Sequence, residues 1–103
     1  FKFQTTIARG LSKEFMPDAI YWNRSNDPIA FELEVSVKGK TQYERKIRKY
    51  ADVVRGISGS IYFQRVIFVV ANEATERILK ELTKRFEEYF LIQSFEDFFK
   101  GVS

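Results

Sequence analysis

The chain contains neither cysteine nor histidine. Without thiols there is no disulfide framework and no thiolate metal site. Without imidazole there is no usual zinc ligand, no unperturbed near-neutral acid/base group and no Ser-His-Asp triad. Any hydrolytic chemistry therefore falls to carboxylates, lysine, tyrosine and a hard metal ion. No apolar run approaches the roughly 20 residues that span a bilayer, and nothing resembles a signal peptide, so the expectation is a cytoplasmic protein with no membrane partner. Repeats and low-complexity tracts are also missing.

What is present suits one well-filled domain. Of 103 residues, 45% are apolar and 17% aromatic, with eleven phenylalanines, so residues 1–103 are expected to form a single domain around a ring-rich core. Seventeen basic against fourteen acidic residues give a net charge of +3, a mild lean toward anionic partners. The chain enters a strand-like pattern directly at Phe1, which suggests a domain excised from a longer protein whose upstream region is a partner.

Phe1, Phe3, Thr5 and Ile7 alternate with polar or small residues, predicting a first strand that ends at Arg9-Gly10. Leu11 to Glu14 is ambiguous. Pro17 cannot donate a ladder hydrogen bond and so opens a second strand, Asp18 to Trp22. Asn23 to Pro28 is a run of turn formers, which makes a hairpin into a third strand. There Phe31, Leu33, Val35 and Val37 alternate with Glu32, Glu34, Ser36 and Lys38, predicting one apolar and one polar face. Two acids in line, a lysine on the same face and Asp18 on the preceding strand form a candidate site for a divalent cation.

After Gly39, the run Thr41-Gln42-Tyr43-Glu44 has the spacing of a capping box. A helix is expected from there to about Arg55, with Tyr43, Ile47, Tyr50, Ala51 and Val54 as its buried stripe and Gly56 as its stop. Gly56 to Ser60 reads as a flexible loop. Tyr62 to Ala71 reads as a strand apolar on both faces, which calls for helices on two sides. Asn72 is placed to cap a helix from Glu73 to about Glu88, with Ala74, Ile78, Leu79, Leu82 and Phe86 inward. A short strand, Tyr89 to Gln93, and a helical turn, Phe95 to Lys100, close the chain. The order β-β-β-α-β-α-β predicts an α/β fold, a mixed sheet flanked by helices whose basic helix crosses over to a parallel strand.

This arrangement resembles the PD-(D/E)XK nuclease-like superfamily. Pro17-Asp18 and Glu34-Val35-Ser36 occupy its two motif positions, and Lys46-Ile47-Arg48-Lys49-Tyr50 is similar to the Gln-x-x-x-Tyr element of some branches. Pro-Asp-Ala, Phe-Glu-Leu-Glu-Val and a basic helix ending in Lys-Tyr-Ala also resemble the replication-relaxation family of plasmid and integrative-element proteins. The likeness runs from about Met16 to Val70. It implies a restriction-endonuclease-like core and hydrolysis of phosphodiesters with magnesium or manganese, held by Asp18, Glu34 and the carbonyl of Val35. The superfamily's lysine stands two residues after the glutamate, where this chain has Ser36. Lys46, beside Tyr50 on the next helix, is the expected substitute, leaning over the sheet toward Glu34.

Three functions follow as expectations. The first is a DNA-cleaving domain in a mobile-element or replication setting, with Asp18, Glu34 and Lys46 catalytic and Lys38, Lys40, Arg45, Arg48, Lys49 and Arg55 on DNA phosphates. The second is an inactive DNA-binding or accessory module of the same fold. The third is a protein-interaction domain in which Phe95, Phe98 and Phe99 dock a partner or make a homodimer with a second copy.

Overall fold

A computed structural model of the chain describes residues 2–5, 17–57 and 62–102. Five strands form one sheet in the order β1 (Lys2–Thr5), β2 (Ala19–Trp22), β3 (Pro28–Glu34), β4 (Arg65–Val70) and β5 (Phe90–Ser94). The first two pairings are antiparallel and the last two parallel. The fold is therefore α/β with a mixed sheet. The expected turn at Arg9-Gly10 and the segment Leu11 to Glu14 lie outside the described residues, as does most of the loop after Gly56.

The β2–β3 hairpin is built by its turn chemistry. Asn23 Oδ1 accepts from the Asp27 N–H at 2.9 Å, and Asn26 adopts the left-handed backbone (φ 62°) that asparagine tolerates better than most residues. This fixes Ala19 opposite Phe31. One step further, Asp18 comes opposite Glu32.

Helix α1 (Lys40–Val54) carries β3 over to β4. It starts one residue ahead of the expected capping box, with Gly39 at the N-cap and no side-chain cap bond. Thr41 lies inside the first turn, so its hydroxyl is not at the position from which a cap forms. The helix stops as expected: Gly56 is left-handed (φ 72°), its N–H donates to Val53 O, and the Ile57 N–H donates to Asp52 O, a Schellman ending. Helix α2 (Glu73–Leu82) starts where Asn72 Oδ1 accepts from the N–H groups of Ala74 and Thr75. It ends six residues short of Glu88 and passes into a 3-10 turn at Lys84–Phe86. Thr75, not Ala74, occupies the inner face at its first turn. Helix α3 (Phe95–Val102) follows β5 directly.

The sheet is covered on both faces. Ile20, Ala30, Val66, Phe68, Val70 and Phe90 project to the side of α1 and α2. On that side Tyr50 meets Phe63 and Phe68 edge-on, with ring centroids 5.7 and 6.0 Å apart. Ile29, Ile67 and Val69 project to the other side, where Phe95 and Phe98 of α3 pack against them. Residues Val66 to Val70 of β4 are accordingly buried on both faces, as a parallel strand between helical layers must be. Each fully buried ring or branched side chain contributes on the order of 1.5–3 kcal/mol by removal from water.

β3 departs from its expected pattern. It ends at Glu34, four residues early, and Val35 and Val37 are 64% and 59% exposed. The polar row is the inner one: Glu32 and Glu34 are only 4% and 2% exposed, whereas Leu33 is 42% exposed. The alternation holds only as far as Glu34, and there the acidic face is the buried one, because α1 supplies partners that make the acidic row compatible with burial. Among the described residues no helix is long and apolar enough to cross a membrane.

Candidate functional site

The site forms where the last turn of β3 faces α1. Glu32 and Glu34 are two residues apart on a strand, about 6.6 Å, and so share a face. Lys46 and Tyr50 are one helical turn apart, about 6 Å along α1, and share a stripe. The two spacings match, and the rows meet. Lys46 Nζ donates to Glu32 Oε2 and to Glu34 Oε1, each at 2.8 Å. The Tyr50 hydroxyl donates to the remaining oxygen of Glu32 at 2.5 Å. Lys38 pairs with the remaining oxygen of Glu34 at 3.3 Å from the exposed rim.

Asp18 joins from the hairpin. Its Oδ2 accepts from the backbone N–H of Leu33 at 2.8 Å, so it is tied to the peptide between the two glutamates. Among the described residues its Oδ1 has no hydrogen-bond partner. Tyr43, fully buried, donates its hydroxyl to Ser36 O at 3.3 Å and so fastens the β3–α1 connection that carries Lys38. Ser36 itself is exposed beyond the end of β3.

The electrostatics follow from burial. Glu32 is pushed above the ordinary carboxylate range by desolvation, and the Asp18 charge adds to this, while Lys46 and Tyr50 act against it. Burial alone would favour neutral Lys46, but its contacts with Glu32 and Glu34 prevail and raise its pKa above that of an ordinary lysine. Tyr50 is raised by burial and then by the negative charge of Glu32. Lys46 is therefore a fixed cation at neutral pH and Tyr50 a fixed hydrogen-bond donor. Two buried carboxylates with one ammonium and one phenol between them are fully hydrogen-bonded, the condition under which such burial is tolerated.

Comparison with known proteins adds nothing to this geometry. No family model, no curated protein and no solved structure matches the chain.

The donor chemistry suits a hard cation. Among the described residues no three acidic side chains converge into a ready-made cage. Magnesium, however, is usually held by one or two carboxylates, with water and substrate phosphate oxygens completing its shell. Here both oxygens of Glu32 are engaged by Lys46 and Tyr50, and Asp18 uses only one oxygen, on the Leu33 N–H. With Glu34 counted, three carboxylates face two ammonium groups, which leaves one negative charge for a cation to balance.

Of the residues singled out in the sequence, Glu34 and Lys46 are in direct contact, Lys38 is on the rim, and Asp18 is attached through the β3 backbone. Val35 lies past the end of the strand. The basic residues divide. Arg45 and Lys49 lie on the Lys46 side of α1 by helical position, while Arg48 lines a groove toward α2 and Arg55 lies over Phe86. Glu32, one of the two acids in line, and Tyr50, expected in the buried stripe of α1, complete the cluster, although the metal and catalytic roles were assigned to Asp18, Glu34 and Lys46 without them. The signal for both was the matched spacing of Glu32-x-Glu34 and Lys46-x-x-x-Tyr50.

Proposed function

We propose that this chain is a DNA-processing domain with a restriction-endonuclease-like core, which hydrolyses phosphodiester bonds with a divalent metal ion in a mobile-element or replication setting. The observation that carries the reading is Lys46, held 2.8 Å from both Glu32 and Glu34 above a strand to which Asp18 is hydrogen-bonded. A hairpin acid, a pair of strand acids and a lysine thus meet at the C-terminal end of the central strand of an α/β sheet, the end at which such sheets commonly place ligands.

Asp18 and Glu32 would hold the metal, with Glu34 and the Val35 carbonyl as the further donors implied by the resemblance. When bound, magnesium or manganese lowers the pKa of a coordinated water and stabilises charge on the phosphate. The chain's own groups have separable tasks. Glu34 fixes the Lys46 ammonium. Lys46, charged at working pH, acts as an electrostatic partner of the phosphate and not as a general base. Tyr50 holds one oxygen of Glu32 and so sets the orientation of that carboxylate. Arg45 and Lys49, on the same side of α1, receive the flanking phosphates, with Lys38 and Lys40 at the mouth.

The test is magnesium- or manganese-dependent nicking of plasmid DNA, compared with Asp18→Ala and Glu32→Gln. Cleavage that is lost on chelation and in both variants supports the reading. Cleavage that survives both variants overturns it.

A second reading, an inactive DNA-binding or accessory module, is favoured by the full pairing of both glutamates with Lys46, Lys38 and Tyr50. It predicts salt-sensitive DNA binding with no cleavage in any metal. The dimer reading retains one feature, Phe99 at 56% exposure; Phe95 and Phe98 are partly buried against the sheet.

A further inference from the structure

On the far side of α1 from the acidic cluster, a groove of about 440 Å³ runs between α1 and α2, a volume in the range of small-ligand sites. Its apolar lining is Ile47, Leu82 and Phe86, and Arg48 and Arg85 border it with Glu44 and Glu81. The guanidinium groups of Arg55 and Arg85 lie over the Phe86 ring, 5.9 and 5.8 Å from its centroid.

The two acids stand four residues before the two arginines, Glu44 before Arg48 and Glu81 before Arg85. That is the spacing at which helical ion pairs ordinarily close. Pairs of this spacing do close elsewhere in the chain, at Glu76–Lys80 and Glu96–Lys100. Among the described residues, however, Arg48, Arg55 and Arg85 form no ion pair and no hydrogen bond to a side chain. Two guanidinium groups thus lie over one aromatic ring, with a third, that of Arg48, on the same groove, and among the described residues none of the three has a carboxylate partner. Planar, weakly hydrated guanidinium groups combine two kinds of recognition, bidentate bonding to phosphate and stacking on flat rings.

We infer that this groove is a subsite for single-stranded nucleic acid, with Arg48 and Arg85 on a phosphate and a base stacked against Phe86 and the guanidinium groups that lie over it. Unstacked bases are recognised in this way, on aromatic rings and arginine planes, whereas a base inside a duplex offers no free face. An acidic peptide would satisfy the charge but leave the flat surface unused. The inference rests on the reading of the chain as a nucleic-acid domain. It adds that the substrate presents an unpaired strand, gripped across α1 from the cluster.

The experiment measures binding without cleavage. Fluorescence anisotropy of a labelled oligothymidylate and of a duplex of equal length is recorded in EDTA over a range of salt. Wild type is compared with the Arg48→Ala/Arg85→Ala double variant and with Arg55→Lys/Arg85→Lys. These side chains are on the surface, and unchanged thermal melting confirms the fold of each variant. The double alanine variant is expected to bind the single strand roughly tenfold more weakly, with a salt slope reduced by about 1.4 for two lost phosphate contacts. The lysine variant is expected to keep its slope and still lose affinity, because the charge remains and the plane does not. Single-strand affinity within twofold of wild type in the alanine variant overturns the inference. So does an equal loss on duplex, or competition by polyglutamate as strong as by unlabelled oligothymidylate. The two proposals fail separately: a protein that responds here but cuts no plasmid refutes only the nuclease, and one that cuts but does not respond refutes only the subsite.

Discussion

Asp18 accepts a hydrogen bond from the backbone N–H of Leu33 at 2.8 Å, so the acid of the hairpin is fixed to the peptide between Glu32 and Glu34. This separates its structural contribution from its chemical one. Asp18→Asn keeps an oxygen that can accept the same bond but removes the charge. Its unfolding free energy should stay within about 1 kcal/mol of wild type, while Asp18→Ala loses about 1–2 kcal/mol with the charged acceptor. Metal-dependent cleavage should fall by a factor of 100 or more in both, since metal stabilisation of charge is worth several kcal/mol. Urea unfolding and plasmid nicking read the two effects independently. Full activity in Asp18→Asn would exclude the carboxylate from metal binding.

Among the described residues Lys46 is the sole ammonium between Glu32 and Glu34, since Lys38 reaches only Glu34 and from the exposed side. Lys46→Met keeps the length of the stem and leaves the two carboxylates next to each other without their shared cation. Breaking a buried pair in this way costs roughly 3–5 kcal/mol at neutral pH. The loss should shrink on acidification, because Glu32, already raised by burial, then takes up a proton. Glu32→Gln in the Lys46→Met background should recover a large part of the stability. Equal stability of Lys46→Met and wild type in urea would mean that the carboxylates are hydrated and that the buried cluster does not hold.

The alkaline limb of stability tests the same cluster from Tyr50. Its phenol is raised from 10.0 and Lys46 from 10.5, so the folded chain keeps two protons that the unfolded chain gives up. The stabilisation is whole below about pH 10 and is lost as pH rises above it, at up to about 1.4 kcal/mol per pH unit for each proton. Tyr50→Phe is less stable at neutral pH by the lost bond to Glu32, about 1–3 kcal/mol, but its stability should fall less steeply between about pH 9 and 11. Denaturant unfolding at several pH values gives both slopes. Parallel curves would place the Tyr50 phenol in water.

The alternation of β3 was legible in the sequence, as were the hairpin turn, the Asn72 cap, the Gly56 stop and the parallel β4. These rest on local chemistry that a few neighbouring residues determine. The direction in which β3 presents its acids was not local. An isolated strand with Glu32 and Glu34 on one side and Leu33 and Val35 on the other should wet the acids, and only the matching row of Lys46 and Tyr50 on α1 reverses this. The reach of Lys46 toward Glu34 was legible because helical position and the crossover both pointed there. The hydrogen bond from the Leu33 N–H to Asp18 was not, because it depends on the hairpin register, which two residues more or less in the loop would change.

That inversion has a direct mutational signature along a single strand and its neighbour. Leu33 is 42% exposed between two buried acids, so Leu33→Ala removes little buried surface and should cost less than about 1 kcal/mol. Phe68, paired in register with Glu32 on β4, is fully buried, touches Tyr50 edge-on at 6.0 Å and lies stacked on Phe90 at 6.1 Å. Phe68→Ala should cost about 3–5 kcal/mol through the transfer of the ring and the cavity left behind. It should also loosen Tyr50, so that the alkaline slope moves toward that of Tyr50→Phe although no titrating group was changed. A core of the ordinary kind, with Leu33 inside and the glutamates outside, predicts the opposite ranking, with Leu33→Ala costing about 2–5 kcal/mol. Urea midpoints of the two variants therefore decide which face of β3 is packed, and with it whether the acidic cluster is an interior site or a solvated edge.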